Sequence, residues 1–297
     1  MFARDSRSPK SLRRLFLDEL LGDLDISGDA SIDATIGLSH AEKIYHRIFF
    51  EYGDDSVAQL GGVHLACEQA SNILTKVLEW GRLMSYLEQS TRYIAYDSRI
   101  GGRYRYYRDP EVLQSSLGTR YVGDMDRLFD TYADLVGPMQ EYVRTQFPKH
   151  ADDSDLVYRQ AVKAKAFDAL RGLLPAASVS NVGIYGTGQA YEALLLRMRA
   201  HPLPEARYYA DLMLQELRKV IPSFVEGVDR EDRGGVWCEY LGYTRENIAE
   251  LVGALFPEGT VADPAPLVRL IVFDPDADVK MVASLMYASS HLPEVQL

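Results

Sequence analysis

Cysteine is scarce in this 297-residue chain, which holds only Cys67 and Cys238. Two cysteines so far apart build neither a disulfide framework nor a zinc site, so both are expected as buried thiols in a reducing cytoplasm. Histidine is thin as well. His40, His46, His64, His150, His201 and His291 show no metal-ligand spacing, and no metal site is expected. Positive charge is in deficit, with 32 Lys and Arg against 43 Asp and Glu and a net charge of −11. A duplex binder needs a basic face, so a nucleic-acid polymer is not an expected partner. A small phosphorylated ligand needs only a few arginines and stays open. No apolar run reaches the length that spans a bilayer, and Met1-Phe2-Ala3-Arg4-Asp5 lacks the apolar core of a signal peptide. A membrane partner is therefore not expected.

What is present is an ordinary globular balance, 47% hydrophobic and 25% charged, in a chain long enough to bury a sizeable core. Helical periodicity appears over Leu12–Leu21, after the Ser39-His40-Ala41-Glu42 capping box, and over 69–80, 119–146, 154–174, 188–200 and 204–220. Thr244 is read as the cap of a shorter helix, and Asp278–Met286 as a helix that begins a new unit. Strands are expected at Val63–Cys67, Arg103–Arg108 and Leu267–Phe273. Arg82–Ile94 reads as an ordered loop, and the glycine-rich stretch before residue 188 as irregular. Strands and helices do not alternate regularly, which argues against a doubly wound parallel sheet. The expected class is mixed α+β, helix-rich, with helices packed on a small mixed or antiparallel sheet.

The densest chemistry lies in Arg82-Leu83-Met84-Ser85-Tyr86-Leu87-Glu88-Gln89-Ser90-Thr91-Arg92-Tyr93. Serine hydroxyls and loop amides donate to phosphate oxygens, arginine adds a charged pair of donors, and a carboxylate accepts from a sugar hydroxyl. Composition alone fits a solvated loop with a surface ion pair at least as well. Gly183-x-x-Gly186-x-Gly188 lacks the spacing of a dinucleotide fingerprint. Arg103–Arg108 interleaves arginine with tyrosine. A solvated sheet edge is the expected reading there, with base stacking or a phosphate anchor as the alternative.

Ser85-x-x-Glu88-x-Ser90-x-Arg92-Tyr93 resembles the second half of the flavin-dependent thymidylate synthase signature, Arg-His-Arg-x-x-Ser-x-Asn-Glu-x-Ser-x-Arg-Tyr. Leu170-Arg171-Gly172-Leu173-Leu174-Pro175 resembles that family's Ala-Arg-x-x-Leu-Pro segment. The stretch from Tyr185 to Arg199 resembles the helix that follows it. The likeness runs over roughly residues 35–225, in order. It implies reductive methylation of deoxyuridine monophosphate (dUMP), with methylenetetrahydrofolate as one-carbon donor and electrons from NADPH through FAD. It also implies a homotetramer whose sites draw on several subunits.

Carried over by position, Glu88, Gln89, Ser90, Thr91, Arg92 and Arg171 would bind dUMP. Arg199 would be catalytic, stabilising negative charge on the pyrimidine, with Arg197 as the alternative. Gln59, Arg82, Ser85, Thr187 and Gln189 would fall on the flavin side. The departures cluster there. Trp80-Gly81-Arg82 stands for Arg-His-Arg, Thr187-Gly188-Gln189 for Asn-x-Arg, and Gln59 for a histidine. Leu87 and Thr91 replace an asparagine and a glycine of the signature. Trp80 offers a stacking surface, but a core position is the expectation. The resulting division is an N-terminal arm and helix over 1–34, a synthase-like domain over 35–225, and an extension over 226–297 that starts a second repeat. Three functions remain open: the synthase itself or a sister enzyme methylating a related nucleotide, a catalytically degenerate nucleotide-binding module of a longer tandem protein, or a structural relic that binds neither ligand.

Overall fold

The computed structural model describes residues 11–15, 18, 59–256 and 272–287. The capping box at Ser39 and its helix lie outside the described residues. So do most of the Leu12–Leu21 helix, of which Leu12–Leu15 is seen, and the Leu267–Phe273 strand except for its last two residues. Two compact units are found, Met1–Arg245 and Glu246–Leu297.

A three-stranded antiparallel sheet organises the first unit, in the order β1 (Gly62–Ser71), β3 (Val179–Thr187), β2 (Met84–Glu88). Helix α1 (Asn72–Leu78) follows β1. Helices α2 (Gly118–Gln146) and α3 (Asp155–Leu170) come before β3, and α4 (Gly188–Arg199) and α5 (Pro204–Arg218) after it. Helix α6 covers Val236–Leu255 and α7 covers Ala277–Tyr287. The expected class, helix-rich with helices on a small antiparallel sheet, is what the chain adopts. Among the described residues no helix is long and apolar enough to cross a membrane.

The central strand is the stretch expected to be irregular. Val182 and Ile184 point inward, while Gly183 and Tyr185 face out. The glycines hide this two-residue period from a propensity reading. Gly186 also has a packing reason, since a Cβ there would stand 2.4 Å from the Met84 side chain on β2. β2 is the second correction, a strand where a loop was expected. Met84, Tyr86 and Glu88 are half-buried while Ser85 and Leu87 are exposed. Leu87 is 79% exposed, so an apolar residue on the open face breaks the alternation that marks a strand.

The opposite error occurs at Arg103–Arg108. No strand forms there, only isolated bridges between Ile100 and Arg103 and between Tyr106 and Ser178. Tyr104 and Tyr106 alternate inward because they join a core, not because a neighbouring strand pairs with them. Thr244 caps nothing. It lies inside α6 and returns its hydroxyl to the Tyr240 carbonyl. α3 ends at Leu170 and passes into a 3₁₀ turn at Arg171–Leu173, short of Pro175.

Two cores fix these elements. One face of the sheet packs on α1, α4 and α5 through Leu74, Leu78, Val182, Ile184, Leu194, Met198 and Leu214. The other core gathers Tyr96, Tyr104, Tyr106, Phe129, Tyr132 and Phe167 between α2, α3 and the 96–106 segment. Cys67 is buried in the first core, and burial pushes its thiol up to about 12. Cys238 is only half-buried, correcting the expectation that both cysteines are interior. Trp80 is 66% exposed and belongs to no core, which overturns the position expected for it.

Candidate functional site

β2 delivers the signature residues to a tight turn. After Glu88 the chain stays tied to β3. The Gln89 amide donates to the Asn181 carbonyl at 2.9 Å, and the Gln89 carbonyl accepts from the Ser180 hydroxyl at 3.1 Å. Ser90 then folds the chain over. Its Oγ accepts from the Arg92 amide at 3.2 Å, and its carbonyl accepts from the Tyr93 and Ile94 amides. This is the serine turn that a short hydroxyl side chain favours. Thr91 is half-buried within it.

The turn aims Arg92 at the end of α3. Arg92 Nε lies 3.4 Å from Asp168 Oδ1, and Arg171 Nη2 lies 3.2 Å from the same oxygen. Asp168 thus holds two guanidinium groups side by side. Both arginine side chains are about half exposed (51% and 52%). Such pairs contribute only about 0–1 kcal/mol to stability. Asp168 Oδ1 makes no hydrogen bond, so these contacts are ionic and leave N–H donors uncommitted. Two adjacent guanidinium forks with free donors suit an anion with several oxygens. Glu88 sits at the near end of the turn, 3.1 Å from the Lys76 ammonium, which also reaches Glu79 at 3.0 Å. Burial alone would lower the Lys76 pKa, but the bonds to Glu79 and Glu88 outweigh it and leave it raised.

A second group converges elsewhere. Gln59, Arg82, Thr187 and Gln189 line one cavity of about 860 Å³, together with Leu83, Met84, Leu196, Arg197, Trp237 and others. Gln59 Nε2 donates to Gln189 Oε1 at 2.6 Å. Thr187 Oγ1 caps α4 by accepting from the Ala190 amide. The Arg197 guanidinium lies 5.1 Å from the Trp80 ring centroid, and its Nε is buried without a hydrogen bond. Ser85 does not line this cavity. It lies on the open face of β2, opposite Tyr185.

Arg199 belongs with neither group. It pairs with Asp211 and lines a separate pocket of about 320 Å³ with Arg207, Asp229 and Cys238. Residues two apart on a helix point roughly 200° apart, so Arg197 and Arg199 cannot serve the same pocket of one chain. The residue that sequence reasoning missed is Asp168. Its signal was the three-residue spacing from Arg171 across the end of α3, which places both side chains on one face.

These positions have a common origin. The family model described as thymidylate synthase complementing protein matches residues 21–223. The chain belongs to that family. Its relatives include UPF0159 proteins of Chlamydia pneumoniae, 37% identical over 98% of this chain and 55% of the relative, and of Chlamydia muridarum, 36% identical over the same shares. A UPF0159 protein of Thermoplasma acidophilum is 30% identical over 83% of this chain and 52% of its own length. The chain therefore spans about half the length of the curated relatives it matches. Within the thymidylate synthase complementing family match, which ends at residue 223, lie both the Ser90 turn and the end of α3.

Proposed function

We propose that the chain binds dUMP at the Ser90–Arg92 turn and acts as a flavin-dependent thymidylate synthase, methylating dUMP with methylenetetrahydrofolate and NADPH. The observation that carries this reading is the convergence of Arg92 and Arg171 on Asp168, two motif residues 79 positions apart brought to one point. Arg92 and Arg171 hold the phosphate, and the Ser90 hydroxyl, whose oxygen accepts from the Arg92 amide, donates beside them. Glu88, steadied by Lys76, accepts from the sugar. Gln89 and Thr91 shape the floor of the turn.

The 860 Å³ cavity fits a flavin. Leu83, Met84, Leu196 and Trp237 supply apolar walls for a planar ring, and Arg82 and Arg197 supply two cations for an anionic tail. The buried Arg197 Nε is a donor in need of an acceptor. Gln59, Thr187 and Gln189 offer polar contacts at the rim. When bound, the flavin supplies the transfer of reducing equivalents from NADPH. Arg199, in its separate pocket, serves the nucleotide of a neighbouring copy. There it stabilises charge on the pyrimidine, so the working unit holds more than one copy, in keeping with the homotetramer that the family resemblance implies.

Tritium release decides between catalysis and binding alone. The full chain, loaded with FAD, NADPH and methylenetetrahydrofolate, is expected to release tritium from dUMP labelled at the ring carbon that becomes methylated. Arg199→Ala is expected to abolish the release. No release at any flavin loading rejects the synthase reading. The second reading, a nucleotide-binding module of a longer tandem protein, is favoured by the chain's spanning only 55% of its chlamydial relatives. In that reading residues 35–225 are one repeat and 226–297 begin the next.

A further inference from the structure

The basic stretch from Arg103 to Arg108 takes no part in the nucleotide site. It opens on a tight reversal in which Ile100 and Arg103 pair across Gly101 and Gly102, whose φ values are +59° and +79°. Both central residues of such a turn need positive φ, which glycine adopts freely. Arg103, Arg105 and Arg108 then line a pocket of about 330 Å³ with Tyr104, Tyr106 and Gln69. Gln69 sits at the β1 bulge with φ +60°, an uncommon conformation for a side-chain-bearing residue. Its amide is held by Asn181 Oδ1 at 3.0 Å.

The three arginines differ from their neighbour Arg99, which is structural in full. Arg99 stacks on Tyr104 at 4.5 Å and pairs with Asp130 at 3.2 Å and Asp126 at 3.9 Å. Among the described residues no ion pair involves Arg103, Arg105 or Arg108, in a chain whose net charge is −11. The Arg105 guanidinium carbon lies over the Tyr96 ring, 4.1 Å from its centroid, with one Nη donating to the Ala95 carbonyl and its Nε buried without a hydrogen bond. Arg108 lies on Tyr106 at 4.0 Å and reaches the Tyr104 and Tyr106 carbonyls only at 3.3 and 3.4 Å. Stacking fixes the guanidinium planes and leaves edge donors uncommitted. Holding positive charges together without a counter-charge is unfavourable unless an anion completes the set.

We propose that this pocket is a second anion site, which takes a phosphate-bearing small molecule and is separate from the Ser90–Arg92–Arg171 site. Three cations suit a phosphate dianion, and the tyrosine rings give a surface for the organic part of an ester. The volume admits a sugar phosphate.

Equilibrium dialysis of radiolabelled inorganic phosphate at low salt tests it, on the full chain and on Arg103→Ala, Arg105→Gln and Arg171→Ala. The expected wild-type result is two classes of phosphate per chain. Arg103→Ala and Arg105→Gln are each expected to weaken one class by about tenfold or more and to spare the other. Arg103 is exposed, so its replacement tests the site even if Arg105→Gln fails to fold. An Arg171→Ala chain that retains the Arg103-dependent class supports the proposal, whatever becomes of the nucleotide reading. Ribose phosphate that binds this class more tightly than phosphate identifies an ester as the occupant, and equal affinities identify free phosphate. Phosphate binding unchanged in both Arg103→Ala and Arg105→Gln overturns the proposal.

Discussion

Replacing Arg171 with alanine is expected to weaken dUMP binding by about two orders of magnitude while leaving the melting temperature almost unchanged. The two halves of this expectation come from one geometry. Arg171 caps α3 and meets Asp168 in a half-exposed ion pair, a contact that contributes about 0–1 kcal/mol to folding. Its donors matter more to a ligand. Two charge-assisted bonds to a phosphate, at about 1.5–3 kcal/mol each, correspond to a hundredfold or more in affinity. Arg171→Lys keeps the charge but loses the planar fork, and is expected to fall between the two. Calorimetric titration with dUMP reads the affinity, and a thermal melt of the same sample reads the fold. Wild-type affinity in Arg171→Ala would remove this residue from the site.

The largest effect on stability is expected at Glu205, which takes no part in the proposed nucleotide site. Its side chain is buried in the first turn of α5. One carboxylate oxygen accepts from the Ser71 amide at 2.9 Å and the other from the Ser71 hydroxyl at 2.5 Å. Ser71 Oγ in turn accepts from the Leu74 amide and caps α1. One carboxylate therefore joins the end of β1, the start of α1 and the start of α5. Glu205→Ala leaves buried donors unsatisfied and opens a cavity, and is expected to destabilise the fold by about 3 kcal/mol. Urea unfolding measures this, and a change near zero would show that the link carries no weight.

The same group gives a pH signature. Burial raises the Glu205 pKa, and the bonds from Ser71 pull it part of the way back. A raised carboxylate means that the native state holds its proton more tightly than the unfolded chain. The stabilisation is present below the unfolded pKa and is lost as pH rises through the folded one. Glu205→Gln does not titrate, so the wild type should lose stability relative to this variant as pH rises above about 4. A pH-independent difference between the two would contradict the assignment.

How much of this was legible in the sequence follows from what each residue type signals. α2, α3, α4 and α5 were read closely because their apolar periodicity is long and their ends carry proline or serine. β3 was lost because Gly183 and Gly186 sit where strand formers are expected, although their smallness lets β2 pack close. β2 was lost to Leu87, an apolar side chain on an open face. The alternation at 103–108 that suggested a strand comes from Tyr104 and Tyr106 turning into a core, and no neighbouring strand supplies a ladder. In the site, Glu88, Ser90, Arg92 and Arg171 were visible because they stand in two ordered motifs. Asp168 was not, since its three-residue spacing from Arg171 is shared by many surface ion pairs and says nothing of Arg92 until the fold brings the two together. Arg199 stands at its motif position, yet its helical phase turns it away from the Arg197 cavity, a relation that linear spacing does not express.

The central claim is that a nucleotide phosphate is held between the Ser90 turn and Arg171. The most direct measurement compares how dUMP and deoxyuridine, which lacks the phosphate, shift the melting temperature of the wild-type chain. A ligand that binds only the native state stabilises it by about 2.7 kcal/mol at a hundredfold excess over its Kd. dUMP is expected to raise the melting temperature in a dose-dependent way, and deoxyuridine at the same concentrations to leave it unchanged. Equal shifts from both, or none from either, would contradict the account.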